Sequence, residues 1–329
     1  MTTLKAYRIF NENGKVAGRY VDMHLSELDA GDVVVKVAYS SVNFKDALAG
    51  TGAGRIIRRF PCNGGVDLSG TVVESSDARF KKGDEVLATS YDVGVAHDGG
   101  YAQYARLPAD WVVKLPKGLD LFESMALGTA GFTAALAVER MEHDGLKPAN
   151  GPVIVTGATG GVGSIAIDIL AAAGYRVVAL TGKDAESAYL TNLGAAEVMS
   201  RSSLDLAKIK PLDKATWAGA VDNLGGDVLA WLASTMQIGG ALASIGLAAS
   251  HNLNTTVMPF ILRGVSLLGI DSVNAPMPLR EKVWKRLGSD LKPRHLKDIV
   301  TTVGFDELPG VFEKVMNAKM RGRAAVRIS

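Results

Sequence analysis

The stretch Thr156-Gly157-Ala158-Thr159-Gly160-Gly161-Val162-Gly163 sets glycines at 157, 160 and 163, with one more at 161. It follows the short apolar run Pro152–Thr156 and opens the alanine- and isoleucine-rich run Gly161–Ala173. A strand–turn–helix of this kind lets the backbone approach a pyrophosphate closely, and the helix N-terminus offers unpaired N–H groups and a partial positive charge. In that context nucleotide binding is a better reading than a turn kept only for packing. The next apolar run ends Leu180-Thr181-Gly182-Lys183, and no carboxylate appears until Asp184. An NAD site ordinarily has Asp or Glu here, bonded to a ribose hydroxyl. A hydroxyl, a bare backbone and a cation suit a 2′-phosphate instead. Arg201, after the following strand, is a second cation, and the pair predicts NADPH over NADH.

Other reactive residue types are scarce. Cys62 is the single cysteine, so no intrachain disulfide and no cysteine-cluster metal site can form. The five histidines are scattered, with no pair at helical spacing. His97, in His97-Asp98-Gly99-Gly100, and Tyr91 are candidate proton donors, although a loop histidine beside glycines is more often structural. Arg55, Arg58 and Arg59 cluster ahead of Phe60-Pro61, where guanidinium groups would suit phosphates or form a solvated basic face. The formal net charge is only +2, which gives no general case for a nucleic-acid partner. No long uninterrupted apolar run or N-terminal signal core is evident, so a cytoplasmic protein is the simplest expectation.

These groups need elements to hold them. Val33–Ala38, Leu68–Glu74 and Glu85–Thr89 read as short strands separated by turns such as Lys81-Lys82-Gly83-Asp84, which suggests a barrel-like unit. Helical composition begins at Phe122–Leu127 and resumes at Phe132–Met141, across Gly128-Thr129-Ala130-Gly131. From Gly151 strands and helices alternate: Arg176–Leu180, a helix around Ala185–Leu193 ended by Gly194, then strands at Ala218–Val221, Ala241–Ile245 and Val265–Ile270. Such alternation implies a doubly wound parallel sheet covered on both faces. The tail offers helices at Glu281–Leu287 and Phe312–Asn317 and a strand at Arg323–Ile328, which would complete the first unit.

Several longer stretches carry a family likeness. They are Ser40-Ser41-Val42-Asn43-Phe44-Lys45-Asp46-Ala47-Leu48, Gly52–Pro61, Gly128-Thr129-Ala130-Gly131-Phe132-Thr133-Ala134, Trp217–Asp222 and Thr256–Arg263. With them the chain resembles, over nearly its whole length, the medium-chain dehydrogenase/reductase superfamily, and within it the quinone-oxidoreductase-like branch that includes acrylyl-CoA reductases. The resemblance implies an α/β fold with a Rossmann NADPH-binding domain over 124–272. It also implies a discontinuous GroES-like β-barrel substrate domain over 1–123 and 273–329, and usually a homodimer that pairs the Val265–Ile270 strand across subunits. Zinc-containing members hold their metal with a Gly-His-Glu element and a cysteine. The matching stretch here is Gly64-Gly65-Val66-Asp67, so no metal is expected. Carried over position by position, the cofactor contacts are Phe44, Gly157, Thr159, Gly160, Gly161, Val162, Gly163, Thr181, Gly182, Lys183, Arg201, Leu247, Ile261 and Ser272. A further contact falls near Asn317 or Ala318. Relatives commonly have tyrosine where this chain has Phe44.

The activity implied is an NADPH-dependent oxidoreductase acting on CH–CH groups, reducing acrylyl-CoA to propanoyl-CoA. A quinone or alkenal reductase and a non-enzymatic NADPH-binding protein are the alternatives. Without zinc, the oxygen that gains charge needs donors from the chain. Asn43 is a candidate amide, Thr129 a candidate hydroxyl and Lys45 a candidate cation, with Asp46 and Asp67 to orient them. Each also suits a structural role: Asn43 and Asp46 a local turn bond, Asp67 a loop anchor, Thr129 a helix cap. For a CoA thioester, Arg55, Arg58 and Arg59 would meet the phosphates.

Overall fold

The computed structural model describes residues 2–329 and divides into two compact units. The first comprises Met1–Thr129, Val273–Gly288 and Leu296–Ser329; the second comprises Ala130–Ser272 and Ser289–His295. Residues 124–129 thus lie in the first unit and 289–295 in the second.

The first unit is built from two sheets. A three-stranded sheet has the order Lys15–His24, Thr3–Glu12, Cys62–Asn63. Its hairpin turns on Asn13 and Gly14, both at positive φ, the combination a two-residue hairpin favours. The larger sheet runs Val300–Gly304, Arg323–Arg327, Val33–Val42, Asp67–Ser75, Glu85–Thr89, Val113–Lys114, with Tyr104–Leu107 also on Val33–Val42. Every pair is antiparallel except the first, Val300–Gly304 with Arg323–Arg327. The C-terminal strand is therefore hydrogen-bonded directly to Val33–Val42, with Ala324 opposite Val42 and Ala325 opposite Ser41. Alternating β-branched residues of Val33–Val42 (Val33, Val35, Val37) fill the core with Leu68, Val72, Tyr101, Phe312 and Val326. Tyr7, Tyr101 and Phe312 meet at ring separations of 5.7–6.5 Å.

The second unit holds a six-stranded, wholly parallel sheet. Its order is Glu197–Ser200, Val177–Thr181, Val153–Thr156, Trp217–Asp222, Met236–Ser244, Ser266–Gly269. Numbered along the chain this is 3-2-1-4-5-6, the doubly wound dinucleotide-binding order, with its switch point between Val153–Thr156 and Trp217–Asp222. Both central strands are buried along their full length, as a sheet covered on both faces requires.

The two helical runs near residue 130 form one helix, Leu121–His143, interrupted at Gly128, where φ is 50° and ψ is −154°. By length and composition alone this helix would cross a bilayer, but 83% of its most apolar window is buried, as in a core helix.

Candidate functional site

In the second unit the sequence's cofactor residues gather at the carboxyl ends of the parallel strands. The glycine turn follows Val153–Thr156 and leads into the helix Gly161–Ala172. Gly163 must be glycine: a Cβ there would lie 2.4 Å from the Gly157 carbonyl oxygen, because helix and turn pack backbone to backbone. Gly160 is different. It is exposed, and a Cβ on it would meet only the Gly157 oxygen, at 3.3 Å. The fold leaves that space open in front of a 12-residue helix N-terminus, so a pyrophosphate fits where no packing demands a glycine.

The neighbouring strand Val177–Thr181 ends in the same place. Leu180 accepts from Ala158 N–H across the turn, and the Thr181 hydroxyl accepts from Lys183 N–H at 2.9 Å. The Arg201 guanidinium lies over Gly182, within 3.4 Å of where a Cβ would stand. Arg201 is exposed, and its side chain makes no hydrogen bond or ion pair among the described residues. Gly182, Lys183 and Arg201 thus form a cationic strand end without a carboxylate, which fits a 2′-phosphate. Leu247, Ile261 and Ser272 follow the later strands; Leu247 is 65% and Ile261 71% exposed.

A tie across the switch point gives the sequence reading something it lacked. The Thr156 hydroxyl donates to Asp222 at 2.7 Å and accepts from Asn223 N–H, while the Asn223 amide donates to the Thr156 carbonyl at 2.7 Å. Burial pushes the Asp222 carboxyl up, against the bonds it accepts from Thr156, Gly225 and Leu224. Its role is to fix the crevice between the two strand ends.

In the first unit the five candidate catalytic residues converge, and four of them form one buried network. Asp67, fully buried, accepts four hydrogen bonds: from Ser41 Oγ at 2.6 Å, Asn43 Nδ2 at 2.7 Å, Thr129 N at 2.9 Å and Thr129 Oγ1 at 2.5 Å. Asp46 accepts from Asn43 N at 2.8 Å, Asn43 Nδ2 at 3.2 Å and Val66 N at 3.0 Å. Asn43 is the N-cap of the helix Phe44–Thr51, so the expected local bond to Asp46 exists as part of that cap. Burial, then the Asp67 charge, push the Asp46 carboxyl up to about 6.

The cation of this network is Arg323, which nothing in the sequence singled out. It is 3% exposed, donates to Asn43 Oδ1 at 2.7 Å and Ser41 Oγ at 2.8 Å, and lies 3.7 Å from Asp67. The break at Gly128 belongs to the same construction. A Cβ there would sit 2.4 Å from Arg323 Nη2 and 2.6 Å from Asp67 Oδ2. The broken helix frees the Thr129 N–H to reach Asp67, and the carboxylate then faces the start of a helical segment.

Two assignments change as a result. The Asn43 amide has both N–H groups on carboxylates and its oxygen on Arg323, so it has no donor left for a substrate oxygen. The Thr129 hydroxyl proton goes to Asp67, so Ser90 Oγ, 3.1 Å away, is the donor to Thr129. Lys45, half-buried, makes no hydrogen bond or ion pair among the described residues. Phe44, at the first helical position, is 57% exposed.

The arginine cluster separates. Arg59 pairs with Asp29, lies 3.7 Å from Asp98 and donates to the Ala96 carbonyl at 2.9 Å; Arg58 pairs with Asp92. Their geometry ties loops together, and Arg55 alone is exposed without such a partner among the described residues. Both ring nitrogens of His97 face backbone carbonyls, of Asp98 and Ala30. Tyr91 donates to the Ala275 carbonyl and lies under Arg280. Neither is left free as a proton donor. No group of three His, Cys, Asp or Glu suited to a metal occurs among the described residues, and burial raises the Cys62 thiol to about 12. A zinc ion does not fit this donor set.

Two family models match the chain: the alcohol dehydrogenase GroES-like domain over residues 29–117 and the zinc-binding dehydrogenase over residues 161–288. The putative quinone oxidoreductase YhfP of Bacillus subtilis is 50% identical over 94% of this chain and 95% of its own. The acrylyl-CoA reductase AcuI of Ruegeria pomeroyi is 45% identical over 97% of this chain and 96% of its own. Among solved structures, the yhdH oxidoreductase of Salmonella enterica in complex with NADP has a TM-score of 0.96 at 44% identity, covering 99% and 100% of the two chains. Bacillus subtilis yhfP with NAD bound has a TM-score of 0.97 at 48% identity, with the same coverage. The chain therefore belongs to the quinone-oxidoreductase-like branch of the medium-chain dehydrogenase/reductase superfamily.

Proposed function

We propose that this protein is an NADPH-dependent oxidoreductase that reduces the carbon–carbon double bond of acrylyl-CoA to give propanoyl-CoA. The observation that carries the cofactor is the unpaired Arg201 guanidinium over Gly182, beside Lys183, at a strand end with no carboxylate. NADPH supplies the hydride. The open Gly160–Gly161 turn receives its pyrophosphate, Lys183 and Arg201 meet its 2′-phosphate, and the Thr156–Asp222–Asn223 tie keeps the strand ends at fixed spacing. In the first unit the buried network holds the Asn43–Asp46 turn rigid, so that Phe44 and Lys45 present a fixed surface.

The thioester rests on the likeness to AcuI, which is named an acrylyl-CoA reductase. The name of YhfP, and the commitment of Arg58 and Arg59 to carboxylates, favour a second reading, a quinone or alkenal reductase. Oxidation of NADPH by the purified protein with acrylyl-CoA, free acrylate and a simple quinone separates them. Turnover confined to acrylyl-CoA supports the thioester reading; turnover with quinone alone replaces it. Silence with all three, while NADPH still binds, leaves a non-enzymatic NADPH-binding protein.

We also infer a homodimer joined through the sheet edge. Ser266–Gly269 has a partner on one side only, Leu267 is 39% exposed, and Ile238, Val257, Ile261 and Leu262 are 59–83% exposed. Light scattering on the purified protein tests this, and a monomeric mass refutes it.

A further inference from the structure

We propose that the Lys45 ammonium is the charged donor that steadies the substrate's thioester oxygen while the double bond is reduced. The inference rests on the reductase reading above. It follows from accounting for hydrogens. Asn43 and Thr129, the two other donors that sequence chemistry offered, have every side-chain hydrogen on Asp46 or Asp67. The Arg323 guanidinium is 3% exposed and turned onto Asn43 and Ser41. His97 and Tyr91 face backbone carbonyls. That leaves Lys45.

Its setting distinguishes it from an ordinary solvated lysine. It is the second residue of Phe44–Thr51, two after an N-cap locked by two carboxylates and a buried guanidinium. It is half-buried, beside an aromatic ring that is 57% exposed. A rigid turn that shows water an apolar ring and a cation with no hydrogen bond or ion pair among the described residues fits a planar conjugated group with a developing negative charge.

The step balances. Hydride adds to the β-carbon, the double-bond electron pair moves through the α-carbon to the carbonyl oxygen, and that oxygen gains a negative charge. A Lys45 N–H donates a hydrogen bond to it. The pair then returns to the α-carbon, which takes a proton from water, so hydride and proton together saturate the bond. Lys45 ends with the protons it began with. Loss of one preorganised oxyanion donor lowers turnover by about 10²–10³-fold in known cases.

The test uses Lys45→Met, Lys45→Arg and Lys45→Cys in the full chain. Lys45→Met is expected to lower kcat with acrylyl-CoA by about 10²-fold, with NADPH affinity by fluorescence titration unchanged. Lys45→Arg should retain part of the rate. Aminoethylation of Lys45→Cys with bromoethylamine restores a lysine-like amine and should recover at least ~10-fold of the lost rate. The only native thiol, Cys62, is buried and held near 12, so the reagent has one target. Wild-type turnover with Lys45→Met within about threefold of it overturns this inference alone. So does a loss confined to KM, which would make Lys45 a binding cation, and so does a failure of aminoethylation to restore rate. Wild-type silence on every activated alkene overturns the reductase reading itself, and this inference with it.

Discussion

Asp46→Asn should flatten the pH dependence of stability. Asp46 is 3% exposed, and burial followed by repulsion from Asp67 raises its carboxyl from 3.8 to about 6. The native state therefore holds this proton more tightly than the unfolded chain. The stabilising contribution is present at low pH and is lost as pH rises through 6. About two pH units at ~1.36 kcal/mol each give roughly 3 kcal/mol over the whole range, and about 2 kcal/mol of it falls between pH 4.5 and 7.5. Asparagine cannot ionise, so it lacks this term. It also has one acceptor oxygen where the carboxylate used two, and its NH₂ must face either Val66 N–H or Asn43 N–H, a donor-to-donor contact worth about 1–3 kcal/mol. At pH 7.5 relief of the buried charge offsets that cost. At pH 4.5 the relief is gone and the variant is clearly weaker than wild type. Denaturant unfolding of both proteins at several pH values, followed by tryptophan fluorescence, gives the difference directly. Carboxylates elsewhere, such as the half-buried Asp77 held near 2 by hydrogen bonds from Arg79, affect both proteins alike and cancel. Parallel profiles between pH 4.5 and 7.5 would refute a raised carboxyl at this position.

Three other perturbations address separate parts of the site. Gly160→Val should leave the melting temperature within a degree or two of wild type, because a Cβ there meets only one backbone oxygen, while NADPH affinity falls about 10-fold or more; undiminished affinity would remove the pyrophosphate from this turn. Lys183→Glu and Arg201→Glu should each weaken NADPH at least ~10-fold more than NADH in equilibrium titrations, and equal losses would take the residue out of the 2′-phosphate site. Arg323→Met leaves two buried carboxylates without their cation and should cost about 3–5 kcal/mol at neutral pH, less under acid conditions where Asp46 is protonated. Retention of full stability by that variant would show that the network does not depend on the guanidinium.

What the sequence disclosed and what it withheld divide by distance along the chain. The glycine turn, the following strand end and the alternation of strands and helices are written in short windows, and the parallel sheet appears where those windows place it. The Asn43–Asp46 cap is also local, three residues apart. The hairpin over residues 3–24 was not read from the sequence, although Asn13-Gly14 is a strong turn signal. Arg323 is another matter. It meets Asn43 across 280 residues, and no periodicity or spacing could select it among 36 lysines and arginines. Register does select it: Ala324 opposite Val42 and Ala325 opposite Ser41 bring the first residue of the last strand beside the Asn43 turn.

That placement also meets the requirement of the buried Asp67 carboxylate for a cation. Where the resemblance gives zinc-containing members a histidine and a glutamate, this chain has Val66 and Asp67, and the Asp67 carboxylate is fully buried. Such a charge persists only if it is paired and fully hydrogen-bonded. Asp67 obtains four donors and a guanidinium, but the arrangement uses nearly every polar hydrogen nearby. The same bonds that make the interior stable therefore take Asn43 and Thr129 out of contention as donors to a substrate. Under the proposal above, chemistry that needs a donor falls to Lys45, which makes no hydrogen bond or ion pair to the network. In physical terms, the closed set of hydrogen bonds is a rigid mount, and under the proposal above the charge it presents to substrate is that of Lys45.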